Sequence, residues 1–220
     1  MFRRILSYIL PINIHSRKSS VSKTIEITWA NGELVLDSKN TNYSYGSLQR
    51  VLRRGLKTIG YKKVKAMQEI LVLGVAGGSV IKTLTDEIGC KGHITGVEID
   101  AEIIKVANQY FQLDKIPNLE IIIDDAFEFV LRTKKKYDLI IIDVFQDTVM
   151  PNFLFEKFFA NRVGFLLAEK GVILFNTMTL NGDHNDRNEE YISHFPRKEF
   201  RIELIPRVED HNEVILVSRI

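Results

Sequence analysis

An apolar run that stops abruptly in glycines sets what this chain can fold into: Glu69-Ile70-Leu71-Val72-Leu73-Gly74-Val75-Ala76-Gly77-Gly78-Ser79-Val80. A helical pattern follows at once, so the stretch reads as a buried parallel strand, a tight turn and the start of a helix. Glycines let backbone approach a ligand closely, and the first turn of a helix carries N–H groups without intrahelical partners. Such a turn holds polar or anionic ligand atoms in some proteins and merely reverses the chain in others. Gly74, Gly77 and Gly78 do not complete the dinucleotide fingerprint.

The same alternation continues downstream. Strands are expected at 69–74, 93–98, 119–123, 137–142 and 171–175, with helices at about 78–88, 101–111, 125–133 and 152–167. Runs such as Leu139-Ile140-Ile141-Ile142 and Val172-Ile173-Leu174-Phe175 suit strands covered on both faces. Repeated βα units imply a doubly wound α/β fold with a mostly parallel sheet and right-handed crossovers. The end differs: Phe200–Ile205 and Glu213–Ser218 are two strands joined by a short polar loop, which places an antiparallel last strand in a seven-stranded sheet.

Ahead of this domain, Thr24–Trp29 alternates, Asn31-Gly32 signals a type I′ turn, and Glu33–Asp37 returns. Pairing across that turn sets Trp29 opposite Leu34 and Ile27 opposite Leu36, on one face. Residues 38–46 read as polar and turn-like. Met1–Pro11 reads as a short amphipathic helix packing on the domain or on a neighbour, not as a signal peptide. We therefore expect a helix and β-hairpin appendage over residues 1–45 and the main domain over 46–220. Residues 46–58 carry Leu48, Val51, Leu52 and Leu56 at helical spacing, with a basic opposite face read as solvated. A net charge of +2 with 26% charged residues argues against a nucleic-acid binder. The single cysteine, Cys90, excludes an intrachain disulfide and fits a reducing, cytoplasmic setting. No apolar run is long enough for a membrane span.

In an open α/β sheet the ligand lies beyond the carboxyl ends of the strands. Acids cluster there. Glu98 follows Gly74 by 24 positions, near the offset at which an acid accepts both hydroxyls of a ribose. Asp100 precedes a helix and reads as its N-cap. Asp124 and Asp125 follow the third strand, where Asp125 either caps a helix or accepts from an adenine amine. Asp143 follows four apolar residues and is the candidate to face reacting atoms. Asp143 with Asp147 and no histidine is a weak metal site, and none is expected. The segment Thr177–Glu190 is either a lid over the substrate or a surface loop.

The order of these motifs resembles the class I S-adenosylmethionine-dependent methyltransferase superfamily, and within it the spermidine/spermine synthase family. The resemblance rests on the Gly-rich turn, Val97-Glu98-Ile99-Asp100, Asp124-Asp125-Ala126-Phe127-Glu128-Phe129 and Tyr137-Asp138-Leu139-Ile140-Ile141-Ile142-Asp143. It implies a Rossmann-like fold and S-adenosylmethionine as cofactor, or decarboxylated S-adenosylmethionine as in the synthases. It implies cofactor contacts from Gly74, Val75, Ala76, Gly77, Gly78 and Ser79, from Glu98 and Ile99, and from Asp125, Ala126 and Asp143. Asp143 matches the synthases' general base.

The departures from the synthases bear on the reaction. Their glycine turn carries an acid that grips the amine of the decarboxylated cofactor, and here that position is Gly77. The acidic segment after the fourth strand reads Asp143-Val144-Phe145-Gln146-Asp147, and the acidic pair ahead of the substrate tyrosine reads Thr41-Asn42. A polyamine needs carboxylates, and each charge-assisted hydrogen bond is worth about 1.5–3 kcal/mol. We therefore expect a methyltransferase acting on a small molecule, with Tyr43, Tyr45, Gln49, Phe145 and Asn176 on the substrate wall. The alternatives are an aminopropyltransferase and a non-catalytic nucleotide-binding module. A nicotinamide enzyme fits the incomplete fingerprint poorly. The N-terminal segment offers a homodimer surface, as the related small domain does in the synthases.

Overall fold

Two hydrophobic periodicities build two sheets. The computed structural model describes residues 2–37, 42–146, 149–180, 182–209 and 211–220, with Asn42 and Tyr43 as backbone alone. Helix α1 (Phe2–Leu6) leaves Phe2 and Ile5 78% and 61% exposed, so of the two expected settings for its apolar side, the domain or a neighbour, it does not take the first. The segment is anchored instead by buried Ser7. Its carbonyl accepts from the Asn31 N–H and its Oγ from the Gly32 N–H, both at 3.0 Å.

Strands β1 (Ile12–Ser19), β2 (Lys23–Ala30), β3 (Glu33–Asp37) and β4 (Asn42–Ser44) form a four-stranded antiparallel sheet in that order. The expected hairpin is its middle pair, with Trp29 opposite Leu34 and Ile27 opposite Leu36. Asn31 and Gly32 take φ of 50° and 79°, as a type I′ turn requires. The appendage is thus larger than a hairpin. Strand β1 is a polar edge strand, Asn13-Ile14-His15-Ser16-Arg17-Lys18, with little apolar alternation to reveal it. Strand β4 is too short to carry a period.

The main domain runs α2 (Gly46–Ile59), α3 (Tyr61–Lys65), β5 (Glu69–Leu73), α4 (Ser79–Lys82) widening into a π-turn over Thr83–Ile88, β6 (His93–Glu98), α5 (Ala101–Phe111), β7 (Leu119–Ile123), α6 (Ala126–Arg132), β8 (Tyr137–Ile142), α7 (Lys157–Leu166), β9 (Leu167–Met178), α8 (Gly182–Ser193), β10 (Phe200–Val208) and β11 (Asn212–Arg219). Its seven strands are ordered β10-β11-β9-β8-β5-β6-β7. Strands β5 to β9 are parallel, and β11 runs antiparallel to both β9 and β10. This is the doubly wound, mostly parallel fold with an antiparallel last strand. Two details differ from expectation. Strand β9 begins at Leu167, and the segment Thr177–Glu190 holds the end of β9 and most of α8 rather than a long loop.

Alternate residues divide the core. Ile70, Val72, Leu139 and Ile141 join Val51, Leu52 and Leu56 of α2 and Ile25 and Ile27 of the small sheet. Leu71, Leu73, Ile140 and Ile142 join Phe159 and Val163 of α7 and Tyr191 of α8. One hydrophobic layer therefore welds the small sheet to one face of the large one. Arg50 and Arg53 of α2 fork onto Glu209 and Glu87 at 2.6–2.8 Å, so this basic face is partly paired. Exposed pairs of this kind contribute little stability. Among the described residues no helix is long and apolar enough to cross a membrane.

Gly55 sets how closely α2 approaches the sheet. A Cβ there would lie 2.8 Å from Leu174 Cδ1 and 3.2 Å from Val214 Cγ1. Both neighbours are fully buried. Gly55→Val should therefore cost about 1–3 kcal/mol through overpacking, measured as a lower urea midpoint with an unchanged slope.

Candidate active site

Strand β5 lies between β6 and β8, whose connections leave in opposite directions, so its carboxyl end is the crevice of the sheet. Gly74 ends that strand at φ +83°, and a Cβ there would stand 2.2 Å from the Asp143 carbonyl oxygen. Only glycine admits this approach of two strand ends. Ala76 and Gly78 also take left-handed φ, 46° and 77°. The turn opens onto a cavity of about 400 Å³, within the range of small-molecule sites.

Glu98 ends β6 and is 8% exposed. Its Oε2 accepts from the N–H groups of Val75 and Ala76 at 3.1 and 3.0 Å, and Oε1 accepts from Asp100 N–H at 3.0 Å. The carboxylate expected to hold a ribose thus also pins the glycine turn. Burial raises its pKa, while the three amides favour the charged form. Ile99, 43% exposed, and Ala126 give the cavity an apolar slot beside it.

Asp125 caps α6, accepting on Oδ1 from Phe127 and Glu128 N–H at 2.7 and 3.3 Å. It also lines the cavity, so capping and lining coexist. Asp124 pairs with Arg132. Asp100 caps α5 through Glu102 N–H at 2.9 Å, and its Oδ2 accepts from Ser19 and Ser22 hydroxyls at 2.5 and 2.6 Å. Those serines sit at the β1–β2 turn, which brings Val21 and Ser22 to the cavity wall.

Asp143 follows β8. Its Oδ1 accepts from Asn176 Nδ2 at 2.9 Å, and Asn176 Oδ1 accepts from Asn212 Nδ2 at 2.9 Å. Burial pushes the Asp143 carboxyl up to about 7; the Asn176 bond opposes this and the Glu98 charge adds to it. Asn176 is fully buried and holds Asp143 from behind. The wall beside Asp143 is mostly apolar, with Val144, Phe145, Phe153 and Met178, and its polar members Gln146 and Asn212 are uncharged.

Not every expected residue faces the cavity. Gly74, Ala76, Glu98, Ile99, Asp125, Ala126, Asp143 and Phe145 line it. Val75 is core. A Cβ on Gly77 would meet Ser44 Cβ at 2.8 Å, and one on Gly78 would meet Leu113 at 2.4 Å, so both glycines are packed against protein. The Ser79 N–H donates to Ser44 Oγ at 3.2 Å. Tyr45 stacks on Phe111 with centroids 4.4 Å apart, and its buried hydroxyl has no hydrogen-bond partner among the described residues. Gln49 donates to Thr83 Oγ1 at 3.2 Å. The Tyr43 side chain, Thr41 and Asp147 lie outside the described residues. Sequence reading missed Ser22, Phe153, Met178 and Asn212, which no local motif marks. Among the described residues no cluster suits a metal ion.

The fold and this strand-end cavity define a class I methyltransferase-like α/β protein. The spermine/spermidine synthase domain matches residues 51–199. The chain belongs to the spermine/spermidine synthase family. It is 32% identical over 152 residues to the polyamine aminopropyltransferase of Vibrio vulnificus, covering 68% of this chain and 50% of that protein. It is 29% identical over 116 residues to the eEF1A lysine and N-terminal methyltransferase homolog of Drosophila melanogaster, covering 49% of this chain and 17% of that one. The chain spans half the length, or less, of these curated relatives. In structure it resembles spermidine synthase from Thermotoga maritima, with a TM-score of 0.71 at 20% identity over 94% of this chain and 72% of that one. It also resembles human methyltransferase-like protein 13 in complex with SAH, with a TM-score of 0.65 at 21% identity over 80% and 82%.

Asp143 carries a sign-definite stability signature. Its carboxyl titrates near 7 in the fold against 3.8 for the free group. A raised acid contributes stability below the unfolded value and loses it as pH rises through the folded one. Asp143→Asn should therefore melt higher than the native chain at pH 8, with the gap closing toward pH 4, in thermal unfolding followed across pH.

Proposed function

We propose that this chain binds S-adenosylmethionine and transfers its methyl group to a small-molecule acceptor. The observation that carries this reading is the partition of the acids around the cavity. Glu98 is held by three amides, Asp124 by Arg132, and Asp125 by the α6 N-terminus. Among the described lining residues, that leaves Asp143 as the carboxylate facing the acceptor end, against apolar Phe145, Phe153 and Met178. A polyamine with several charges finds little there to replace its hydration. Gly77 leaves no space for an acidic side chain. The turn therefore suits a cofactor that keeps its own carboxylate, which an acid there would repel.

The cavity fits such a cofactor: an apolar slot at Ile99 and Ala126, the Asp125 carboxylate for an adenine amine, and the Glu98 carboxylate for ribose hydroxyls. S-adenosylmethionine, when bound, supplies an electrophilic methyl group on a sulfonium. The chain's own residues hold the acceptor in line and exclude water from the apolar wall. Asp143 orients the acceptor's nucleophile and takes its proton, and a carboxyl near 7 suits that role. Asn176 fixes its orientation.

The identity to a polyamine aminopropyltransferase favours a second reading, aminopropyl transfer from decarboxylated S-adenosylmethionine. The two separate cleanly. With methyl-labelled S-adenosylmethionine and a small-molecule extract, mass spectrometry should find a labelled product. Putrescine with the decarboxylated cofactor should yield no spermidine, and robust spermidine formation overturns the proposal. Cofactor binding in calorimetry without methyl transfer to any acceptor would instead mark a binding module. Asp143→Asn should lower turnover by roughly 10²-fold or more while leaving S-adenosylhomocysteine affinity little changed. Native turnover should fall as pH drops below about 7.

A further inference from the structure

Helix α8 carries a cation, Arg187, that no carboxylate among the described residues meets. Arg187 is half-buried, and its guanidinium carbon stacks 3.8 Å from the centre of the Phe155 ring. Its Nη2 makes two weak contacts, to the Met178 carbonyl at 3.4 Å and to Met150 Sδ at 3.8 Å. Its Nε is buried with no acceptor among the described residues. Among the described residues it makes no ion pair, whereas Arg17, Arg50, Arg53 and Arg132 each meet a carboxylate. Burial without a compensating acid lowers its pKa. Arg162 shows how this chain settles an arginine on neutral groups, with contacts to the carbonyls of Val130, Leu131 and Thr133. Arg187 has one such carbonyl.

A guanidinium has five donors in a fixed fork that matches a carboxylate bidentately. Leaving the buried Nε donor unpaired is costly. Arg187 is not itself a lining residue, but its neighbours set it beside the wall around Met178 and Pro151. Met178 lines the cavity, and Met150 precedes the lining Pro151. Thioether side chains are unbranched and adapt to what packs on them. The residue lies in Thr177–Glu190, the segment that the sequence left between lid and surface loop. Its charge is also the wrong sign for a polyamine.

We infer that Arg187 recognises a carboxylate on the acceptor, so that the substrate is an organic acid with an apolar body. This rests on the cofactor-binding reading above and names the substrate class for the same cavity. The apolar body lies along Phe145, Phe153 and Met178, the carboxylate pairs with the Arg187 fork, and the nucleophile faces Asp143. Arg187 is a specificity residue, distinct from the proton acceptor.

The test compares benzoate with benzamide, its neutral analogue of similar shape, and with the dication of 1,4-diaminobutane. Calorimetry of the full chain saturated with S-adenosylhomocysteine should show benzoate binding at least tenfold tighter than benzamide, and no diaminobutane binding. The Arg187 Nε–Hε NMR signal should shift on benzoate addition. Arg187→Met should abolish the preference for benzoate while leaving S-adenosylhomocysteine affinity unchanged, and Arg187→Lys should retain part of it. The inference is overturned if the native chain binds the two aromatic probes alike, or binds neither, or if diaminobutane binds best. It is equally overturned if Arg187→Met lowers the melting temperature and keeps the preference, which marks a structural arginine. Failure of S-adenosylhomocysteine to bind overturns the cofactor reading alone. In that event, the Arg187 signal and benzoate selectivity of the cofactor-free chain still decide the carboxylate claim.

Discussion

The buried carboxylate of Glu98 is the interaction on which the site depends. A glycine-rich turn has many accessible conformations, and nothing in its own side chains selects one. Glu98 selects one by accepting from two turn amides and from the amide of Asp100. A single side chain at the end of β6 thereby fixes the exit from β5 and the entry to α5. The turn in turn lets Gly74 close on the Asp143 carbonyl, which sets the spacing of the β5 and β8 ends. Removing an ion from water is expensive, and three hydrogen bonds are what make its burial tolerable.

Acids at one edge of a sheet would repel one another if all faced the same space. The structure separates them by giving each a different counter-group. Asp100 and Asp125 stand at helix starts, where amides and the helix dipole favour negative charge. Asp124 meets a guanidinium. Only neutral amides bound to neutral amides support Asp143, through Asn176 and Asn212, so its charge is the least compensated of the set. Its elevated titration follows from that contrast rather than from an unusual residue.

The sequence revealed most of what depends on local pattern. Apolar runs such as Leu139–Ile142, punctuated by glycines and acids, define the parallel strands, and Asn31-Gly32 defines the hairpin register. Strand β1 escaped because an edge strand with polar side chains has no period to read. Helix α8 escaped because Gly182–Ser193 buries only Asn188 and Tyr191 and so presents no apolar stripe. In the site, Glu98, Asp125 and Asp143 were legible from their place at strand ends. Their orientation was not: whether Glu98 turns toward a ligand or toward the turn depends on backbone geometry that a sequence does not display. Gly77 is informative for a second reason that sequence could not supply, the close packing of Ser44 against it.

The latch between Asp100 and the serines of the β1–β2 turn couples parts of the chain that are far apart in sequence. Its two hydrogen bonds span 81 and 78 residues. Closing loops of that length costs chain entropy before any contact is gained. The cavity wall at Val21 and Ser22 is therefore held by contacts distant in sequence, made on the residue that caps α5. The pocket is in this sense a report on the whole chain: its floor belongs to the large sheet, and part of its enclosure to the amino-terminal strands.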